Sequence, residues 1–490
     1  PGIKFILFNV LAFILCSSII LGMTFEIFSV SYVVPGSGCE LNTTSSQQGM
    51  MAGVPLVGII MTSHIWGYLA DTRGRRKILA LCMMLAFISG SLAAFSPNWI
   101  VLSVLKFCSS ASVSGAYSLS ITLMSEYTPT EKRSILVLLT TSVFQGFTGL
   151  MAVLSIPILP LKFSFYIPVL DIHFNSWRLL DLIFALPSAI CALGVFCSYE
   201  SPKYLLSVGR TDEALRVLKG IYEINSGQDG DSYLVNSVVL EEEGKAHTVG
   251  FWSSVKAQTL PMLKPPILKD TALLSVLMLI AYICMNPFVV WLPFIVDAAM
   301  TSVERGNVDL TLCEMIRMSR GSGSDCSMNQ LAMIVVFGIS MFIAVLNLVT
   351  SGATHCIGRK RMFIAIQIVG GSAAIVMNFS TIWIVSAVLF MVYLSALINF
   401  ASLTSYCVDI FPTSVKAMAV CLTVMVGRGS AVLGINLLKK LLDVNCEKYI
   451  ICENCHCLII TVHEIQPGDR RKDRKTDRQT DSEAFVIVSI

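Results

Sequence analysis

About eleven stretches of this chain stay apolar for the roughly 20 residues that an α-helix needs to cross a bilayer core about 30 Å thick. They lie near 5–34, 50–70, 78–96, 99–123, 134–159 and 178–199. After a polar stretch from about 200 to 270 they resume near 272–297, 329–354, 361–378, 381–408 and 417–442. Composition agrees: 54% of the 490 residues are hydrophobic and 14% are charged, where a soluble domain carries about 25% charged residues. The reading is an all-α polytopic membrane protein. A net charge of +3, with the basic residues in short scattered clusters, excludes a nucleic-acid binder. Of the 16 cysteines, most lie inside apolar runs (Cys16, Cys82, Cys108, Cys191, Cys284, Cys407, Cys421). There they act as small hydrophobes rather than as a disulfide framework.

Lys and Arg in the short loops set the orientation. Arg73, Arg75, Arg76 and Lys77 follow span 2, Lys132 and Arg133 follow span 4, and Arg359, Lys360 and Arg361 follow span 8. Loops 35–49 and 97–98 carry none. The loop at about 298–328 holds Arg305, Arg317 and Arg320 among acidic neighbours, and long loops obey the rule poorly. The N-terminus is therefore expected to be cytoplasmic. The sequon Asn42-Thr43-Thr44 then falls on the lumenal or extracellular side, where Asn42 is a glycosylation candidate. Cys39, Cys313 and Cys326 share that side, which leaves a disulfide among them open. Span 1 is too long for a cleavable signal peptide and lacks a small-residue cleavage site. A chain that begins at Pro1 is expected to have its natural start upstream.

An internal repeat orders the chain. Gly67-Tyr-Leu-Ala-Asp71-Thr-Arg73-Gly74-Arg75-Arg76-Lys77 is echoed by His355-Cys-Ile-Gly358-Arg359-Lys360-Arg361, at a shift of 284 residues. Glu126-Tyr-Thr-Pro129-Thr130-Glu-Lys-Arg133 is echoed by Asp409-Ile-Phe-Pro412-Thr413-Ser-Val-Lys416, at a shift of 283. Two unrelated motifs agree within one residue, six spans apart and in the same direction across the membrane. That is the parallel pseudo-symmetry of a two-halved transporter. The expected organisation is an N-terminal half at 1–199, a cytoplasmic linker at 200–270 and a C-terminal half at 271–445.

The same shift predicts a twelfth span at about 461–482, yet that window holds Asp469, Arg470, Arg471, Lys472, Asp473, Arg474 and Lys475. Each such charge costs about 2.5–3.5 kcal/mol at a helix centre, so the segment does not span. Its four-residue repeat, Asp473 to Asp481, is low in complexity and disorder-prone. The tail at 446–490 is expected to be a gene-model or splicing product standing where the last helix belongs. It also holds Cys452-Glu-Asn-Cys455-His456, formally a haem-attachment pattern, with Cys457 and His463 as imaginable zinc ligands. That spacing is read as accidental, so no metal and no cofactor is expected.

The Gly67–Lys77 loop between spans 2 and 3 resembles the signature of the major facilitator superfamily. In it Gly67 permits close helix contact, Asp71 caps the next helix and pairs with an Arg across the half, and the arginines anchor the loop. Glu200-Ser-Pro202-Lys203-Tyr204-Leu-Leu206, with Gly209-Arg210 and Glu213-Ala214, looks like the segment after helix six of sugar-porter-like and organic-ion-transporter-like members. That loop together with Ala417-Met-Ala-Val420 and Gly427-Arg428 is similar to the synaptic vesicle glycoprotein 2 branch, particularly its insect-like members. The resemblance covers about 1–445. It implies a major facilitator fold of two six-helix halves, with the twelfth helix missing here. Three positions depart from the pattern: His355 stands where the motif has Asp, Lys106 where many members have Arg, and Ser110 where Gly is usual. Lys lacks the planar fork of Arg, which puts a carried-over proton-coupling role in doubt, and His355 would weaken the second latch or make it pH-sensitive.

Intramembrane ionisable residues are candidates for function because their burial must be compensated. Glu26, deep in span 1, is read as a substrate-cation or proton site; the plainer alternative is a structural partner for Lys106 or Arg428. Arg428 between Gly427 and Gly429 is read either as an ion pair holding helices or as a substrate contact. Asp297 is read as interfacial. Asn286-Pro287 is expected to bend span 7 as a gating segment, and Tyr282, Trp291, Asn347, Asn399 and Tyr406 are cavity-lining candidates whose alternative is ordinary packing. Gly67, Asp71, Arg73, Gly74, Arg75, Arg76, Glu126, Arg133, Glu200, Arg210, Gly358, Arg359, Asp409 and Lys416 are assigned to gating at the cytoplasmic face. There is no P-loop and no nucleophile–base pairing, so neither ATP-driven transport nor enzymatic catalysis is expected, and Glu241-Glu242-Glu243 reads as a solvated run.

Two functions remain open. One is a secondary active carrier, monomeric in the bilayer, moving a small organic or sugar-like solute by alternating access. The other, raised by the vesicle-glycoprotein resemblance, is a membrane regulator of vesicle trafficking that transports little. The address is the plasma membrane or an intracellular vesicle membrane.

Overall fold

The computed structural model of the chain describes residues 7–128, 130–229, 260–265, 267–321, 328–400 and 416–444, with positions 235, 238, 403 and 411. The tail after 445, the acidic run at 241–243, Cys326, Tyr406, Cys407 and Asp409 lie outside the described residues, as do the side chains of Arg133, His355, Arg359 and Lys416. Eight described helical stretches are long and apolar enough to cross a membrane, and three shorter apolar helices, Val143–Ile158, Arg361–Met377 and Trp383–Ile398, accompany them.

In the first half, span 1 is two helices, α1 (Leu7–Phe28) and α2 (Val30–Ser37), broken at Ser29. Spans 2 and 3 are α3 (Ser45–Arg73) and α4 (Arg75–Ala93). Span 4 is again broken, into α5 (Trp99–Val113) and α6 (Ala116–Tyr127), and α7 (Thr130–Ile158) and α8 (Ser176–Cys197) complete the half. Caps in the sequence set two of the starts. Thr44 and Gln47 form a reciprocal capping box that begins α3, and Asn98 accepts the Val101 amide at 2.9 Å to begin α5. One feature departs from an all-helical chain: β1 (Phe165–Ile167) pairs antiparallel with β2 (Ile172–Phe174) between α7 and α8. These residues are aromatic and β-branched, which suits a pleated ribbon.

In the linker, α9 (Pro202–Ser207) and α10 (Thr211–Ser226) pack against each other. The second half repeats the plan of the first. Span 7 is α11 (Ile267–Val290) and α12 (Leu292–Glu304). The short α13 (Leu312–Gly321) starts at a Thr311–Glu314 capping box, whose amide and hydroxyl donors, each at 2.9 Å, hold the Glu314 carboxyl below the usual carboxylate range. Then come α14 (Gln330–Ile357), α15 (Arg359–Met377), and α16 (Trp383–Leu394) continuing as a 3₁₀ turn at Ser395–Ile398. The last described helix is α17 (Lys416–Val444).

The halves match in detail. The first and fourth spans of each are interrupted, and interrupted helices are where transporters place their sites. The two echoed loops also share a backbone conformation: Gly74 sits at φ 104 and Gly358 at φ 91, both with ψ 140. An L side chain is strained there, which explains why glycine ends both loops. At Gly74 a Cβ would also lie 2.6 Å from the Glu200 carboxylate.

Span 7 differs from expectation. The helix runs through Pro287 and breaks at Trp291, where Pro293 stands in the first turn of α12. Proline is preorganised for a helix start and lacks a donor that is unpaired there anyway. Gly434 packs beside Pro287 inside α11: a Cβ there would be 2.7 Å from the Ile283 carbonyl that Pro287 leaves without a helical donor.

The core shows how the halves meet. Call the side bearing the Arg73–Lys77 loop the basic face. Towards the opposite face a single apolar cluster runs through both halves, from Phe25, Tyr32, Met51 and Trp177 to Phe288, Trp291, Met333 and Ile435. Towards the basic face the core splits in two. One cluster (Ile19, Leu79, Leu123, Val195) belongs to the first half, and the other (Leu274, Tyr282, Ala419, Val424) belongs to the second. Close backbone approaches follow the same division. On α3, Gly49 and Gly53 face Asn436 and Val432 of α17, and on α7 Gly149 faces Ser340 and Phe337 of α14. Nearer the basic face Gly67 and Gly352 have nothing within 4 Å of an added Cβ. The fold is closed at the opposite face and parted at the basic one.

Filling the closed seam should therefore be costly. Gly53→Leu puts a side chain where Asn436 and Val432 already stand, and is expected to lower stability by about 1–3 kcal/mol. Gly338→Leu, at a helix glycine with open space around it, should leave the thermal midpoint in detergent unchanged. Equal midpoints for the two variants would contradict the seam.

Candidate functional site

Where the fused part of the core meets the parted part, a small cleft lies between the halves. Phe28, Ser31 and Tyr32 reach it from the break in span 1, and Gln145, Thr148 and Met151 from α7. The second half supplies Val289, Leu292 and Pro293 from the break in span 7, Val336, Ser340 and Ile343 from α14, and Leu394 and Leu397 from the interruption in span 10. Its wall is largely apolar, and among the described lining residues none is charged. The Ser31 hydroxyl is 3% exposed and has no hydrogen-bond partner. Gln145, Thr148 and Ser340 stand on the same wall.

Behind the cleft, the first half buries three ionisable groups: Glu26 (1% exposed), Lys106 (2%) and Asp181 (0%). Lys106 ion-pairs with Asp181 of α8 and donates to the Ser29 hydroxyl at 2.9 Å, at the break in span 1. Glu26 is held by serines instead: Ser109 donates to one carboxylate oxygen and Ser188, at 3.3 Å, to the other. Room for this carboxylate comes from Gly90 on α4, where a Cβ would lie 2.5 Å from it. One oxygen of Asp181 has no hydrogen-bond partner. Two carboxyl groups thus share one ammonium in a dry site, where uncompensated charge is costly.

Asp181 escaped the sequence reading, although it stands in span 6 and the rule for intramembrane charge applies to it. Its neighbour Arg178, 0% exposed, was missed in the same way. Arg178 donates to the carbonyls of Ala94 (2.9 Å) and Ser96 (2.8 Å) and to Glu40 (2.7 Å), and it stacks on Trp177. It ties α4 and α8 to the loop before α3. A third missed charge is Lys439 of α17, 2% exposed, whose ammonium sits 3.7 Å from the Phe294 ring centre and 4.6 Å from that of Trp291.

The second-half candidates gather elsewhere. Arg428 hydrogen-bonds Tyr282, whose ring lies 4.5 Å from that of Phe400 at a 40° tilt, and a Cβ on Gly427 would lie 2.5 Å from the Tyr282 ring. Arg428 also lies within electrostatic reach of His64 on α3 of the other half. Asn286 is half-buried next to Pro287. Asn399 donates to Gln367 at 2.9 Å, Trp291 to the Ile435 carbonyl at 3.2 Å, and Asp297 accepts the Asn329 amide at 2.6 Å. Tyr282, Trp291, Asn286, Asn347 and Asn399 are not on the cleft wall.

At the basic face the gating residues of the first half come together. Arg75 pairs with Glu126 and lies 3.6 Å from Asp71, and Glu126 accepts the Ser201 hydroxyl at 2.5 Å. Glu200 accepts the Arg76 amide at 2.9 Å, and Arg76 reaches the carbonyls of Val195 (3.3 Å) and Phe196. These contacts lock the ends of α3, α4, α6 and α8 to the start of the linker. Two residues differ from expectation. Asp71 is exposed and meets Arg75 one turn away in its own loop, and a Cβ added at Gly67 would meet nothing within 4 Å, so no close helix approach is built there. Arg73 is exposed, and Arg210 makes a surface pair with Glu213 at 3.4 Å, which is worth little. Asn42 is exposed in a left-handed turn on the opposite face. On that face too, Cys39 and Cys313 are both disulfide-bonded, while Cys16, Cys82, Cys108, Cys191 and Cys421 are free thiols.

The Gly90–Glu26 contact yields a direct check. Gly90→Ala should cost about 1–3 kcal/mol of stability by overpacking the carboxylate. Most of that cost should vanish in a Glu26→Ala background, read by a double-mutant thermal cycle. Strict additivity would contradict the contact.

Three kinds of resemblance bear on this arrangement. The model of the sugar (and other) transporter family matches residues 16–284, more than half of the chain. Synaptic vesicle glycoprotein 2B of Mus musculus is 28% identical over 206 residues, 42% of this chain and 30% of that protein. The putative transporter svop-1 of Caenorhabditis elegans is 27% identical over 233 residues, 46% of this chain and 42% of that protein. Organic cation/carnitine transporter 7 of Arabidopsis thaliana is 27% identical over 221 residues, 45% and 41% of the two chains. The chain thus matches less than half the length of each of these relatives. In fold alone, it resembles the inward open conformation of the xylose transporter XylE from E. coli, with a TM-score of 0.67 at 13% identity over 92% of this chain and 94% of that one. The nucleoside transporter NupG gives a TM-score of 0.61 at 11% identity over 92% and 98%. This multi-pass membrane protein has the major facilitator fold and belongs to the sugar (and other) transporter family.

Proposed function

We propose that this chain is a secondary active carrier that moves a small organic or sugar-like solute by alternating access. The observation that carries the reading is the core that is fused towards one face and parted towards the other, with the cleft at the junction. A rocking motion that parts the fused seam and closes the split one would present the same cleft to the other side. The interrupted helices of spans 1, 7 and 10 all contribute to the cleft wall. The uncharged wall, with the unpartnered Ser31 hydroxyl beside Gln145, Thr148 and Ser340, suits an uncharged solute better than an organic ion. By the excess of Lys and Arg in its short loops, the basic face is the cytoplasmic one, and Asn42 is then a glycosylation site on the far side.

Coupling is assigned to the buried cluster. With two carboxyls to one ammonium, a single proton neutralises it. Glu26 is the group that holds this proton, since Asp181 is engaged by Lys106. Lys106 orients Asp181 and ties it to the span 1 break through Ser29, so the protonation state of the cluster acts on the helix that lines the cleft. Arg75, Glu126 and Glu200 hold the cytoplasmic end of the first half together as one rocking body. A second reading is supported by the Lys106–Asp181 pair and the similarity to a synaptic vesicle glycoprotein: a membrane regulator of vesicle trafficking that keeps the fold and transports little.

Uptake into liposomes discriminates the two. A carrier shows saturable uptake of a neutral solute that rises when the outside is acidified; a regulator shows no saturable uptake and alters secretion when removed. In the carrier, Glu26→Gln should abolish the pH dependence, and pH-dependent uptake that persists in this variant would refute the assignment. Lys106→Met leaves Asp181 buried without its partner and should destabilise by about 3–5 kcal/mol, with much of the loss recovered in Lys106→Met/Asp181→Asn. No recovery in the thermal midpoint would count against the pair.

A further inference from the structure

The polar groups of the cleft are few and gather at one corner of it. They come from spans 1, 5 and 8: Ser31 on α2, Gln145 and Thr148 on α7, and Ser340 on α14. Contacts bring these three helices together there. The Phe28 ring at the break in span 1 lies 6.2 Å from that of Phe144, beside Gln145, and Ser31 follows one turn later. Ser340 packs against Gly149, next to Thr148, where an added Cβ would stand 3.0 Å from the serine Cβ. Spans 7 and 10 supply only apolar groups to the wall: Val289, Leu292, Pro293, Leu394 and Leu397.

This corner has little hydrogen-bonding capacity to offer a solute. The Thr148 hydroxyl already donates to the Gln145 backbone carbonyl at 2.8 Å. The Gln145 side-chain amide lies 3.5 Å from Thr148 Oγ1, long for a hydrogen bond. Ser31 differs from both. Its hydroxyl is 3% exposed, has no partner and stands on the cleft wall. A buried hydroxyl left unpaired is costly, and a solute that bonds it removes that penalty. A polyol, by contrast, carries hydroxyls round its whole rim. Those turned towards Leu292, Pro293, Leu394 and Leu397 would leave water and find nothing to bond. An apolar ring gains from the same wall by leaving water.

Resting on the carrier reading above, we propose that the cleft takes a neutral solute with an apolar ring and a single polar edge, rather than a sugar. The ring lies against Leu292, Pro293, Leu394 and Leu397. The polar edge, an amide or a hydroxyl, bonds the Ser31 hydroxyl and the Gln145 side chain. Ser31 is then the specificity-determining residue, because it fixes which edge of the solute faces the corner.

Equilibrium dialysis of the whole chain in lipid nanodiscs tests this, with empty nanodiscs as the blank. The probes are tritiated benzamide, an aromatic ring with one amide edge, its charged isostere benzoate, and D-glucose. Benzamide should bind saturably, with a Kd below that of benzoate or D-glucose by roughly tenfold or more. Ser31→Ala should weaken benzamide binding by about tenfold and leave the ligand-free thermal midpoint unchanged, since the hydroxyl has no partner to lose. Three results overturn the proposal: D-glucose bound as tightly as benzamide, no saturable benzamide binding, or an unaltered benzamide Kd in Ser31→Ala. The first two need no variant. Counterflow across liposomes separates this from the carrier reading. Saturable benzamide binding without protein-dependent counterflow of any probe keeps the solute class and refutes the carrier, whereas saturable counterflow of D-glucose with no benzamide binding keeps the carrier and refutes the class.

Discussion

Small residues at the seam between the halves set how closely the two bodies can pack, and the rest of the architecture follows from that closeness. Inside a bilayer, lipid tails are as apolar as leucine, so helices gain little from hiding apolar surface and depend on close packing instead. Gly49 and Gly53 let α3 meet α17 at Asn436 and Val432, and Gly149 lets α7 meet α14 at Ser340 and Phe337. These approaches lie on one side of the membrane, which is why the apolar core is continuous there and divided on the other. The cleft, and the parted mouth at the basic face, are what remains when two compact bodies are clamped at one end.

Each body needs its own internal cohesion to move as a unit. At the basic end of the first half this comes from charge: Arg75, Glu126, Glu200 and Arg76 join four helix ends to the linker. At the other end Arg178 does the equivalent work through two carbonyls and Glu40. Between them lies the buried cluster of Glu26, Lys106 and Asp181, in which Lys106 pairs with Asp181 and donates to Ser29 at the break of the helix that lines the cleft.

Much of the fold was legible in the sequence because the bilayer imposes a length on every span, and the echoed loops gave the two-fold plan. Their glycines then proved to share one backbone conformation, as a true repeat requires. Glu26 and Lys106 were also legible, since charge inside an apolar run has to be compensated. Asp181 and Arg178 were not, because within a turn or so of a span's start a charge reads as interfacial. The interruption of span 7 comes at Trp291, one turn beyond Pro287, a position that the proline alone did not mark. The polar groups of the cleft were hidden for a different reason. Ser31, Thr148 and Ser340 are ordinary inside membrane helices, and only the folding together of both halves puts them on one wall.

Alternation of the two faces is the claim on which the functional account stands, and two distances measure it. Fluorescent pairs placed through unnatural amino acids would report one distance between Thr72 and Gly358 across the basic face and another between Gln47 and Val308 across the opposite face. In single molecules in liposomes, the account predicts two states in which one distance shortens as the other lengthens. A single fixed pair of distances under every solute and pH condition would contradict it.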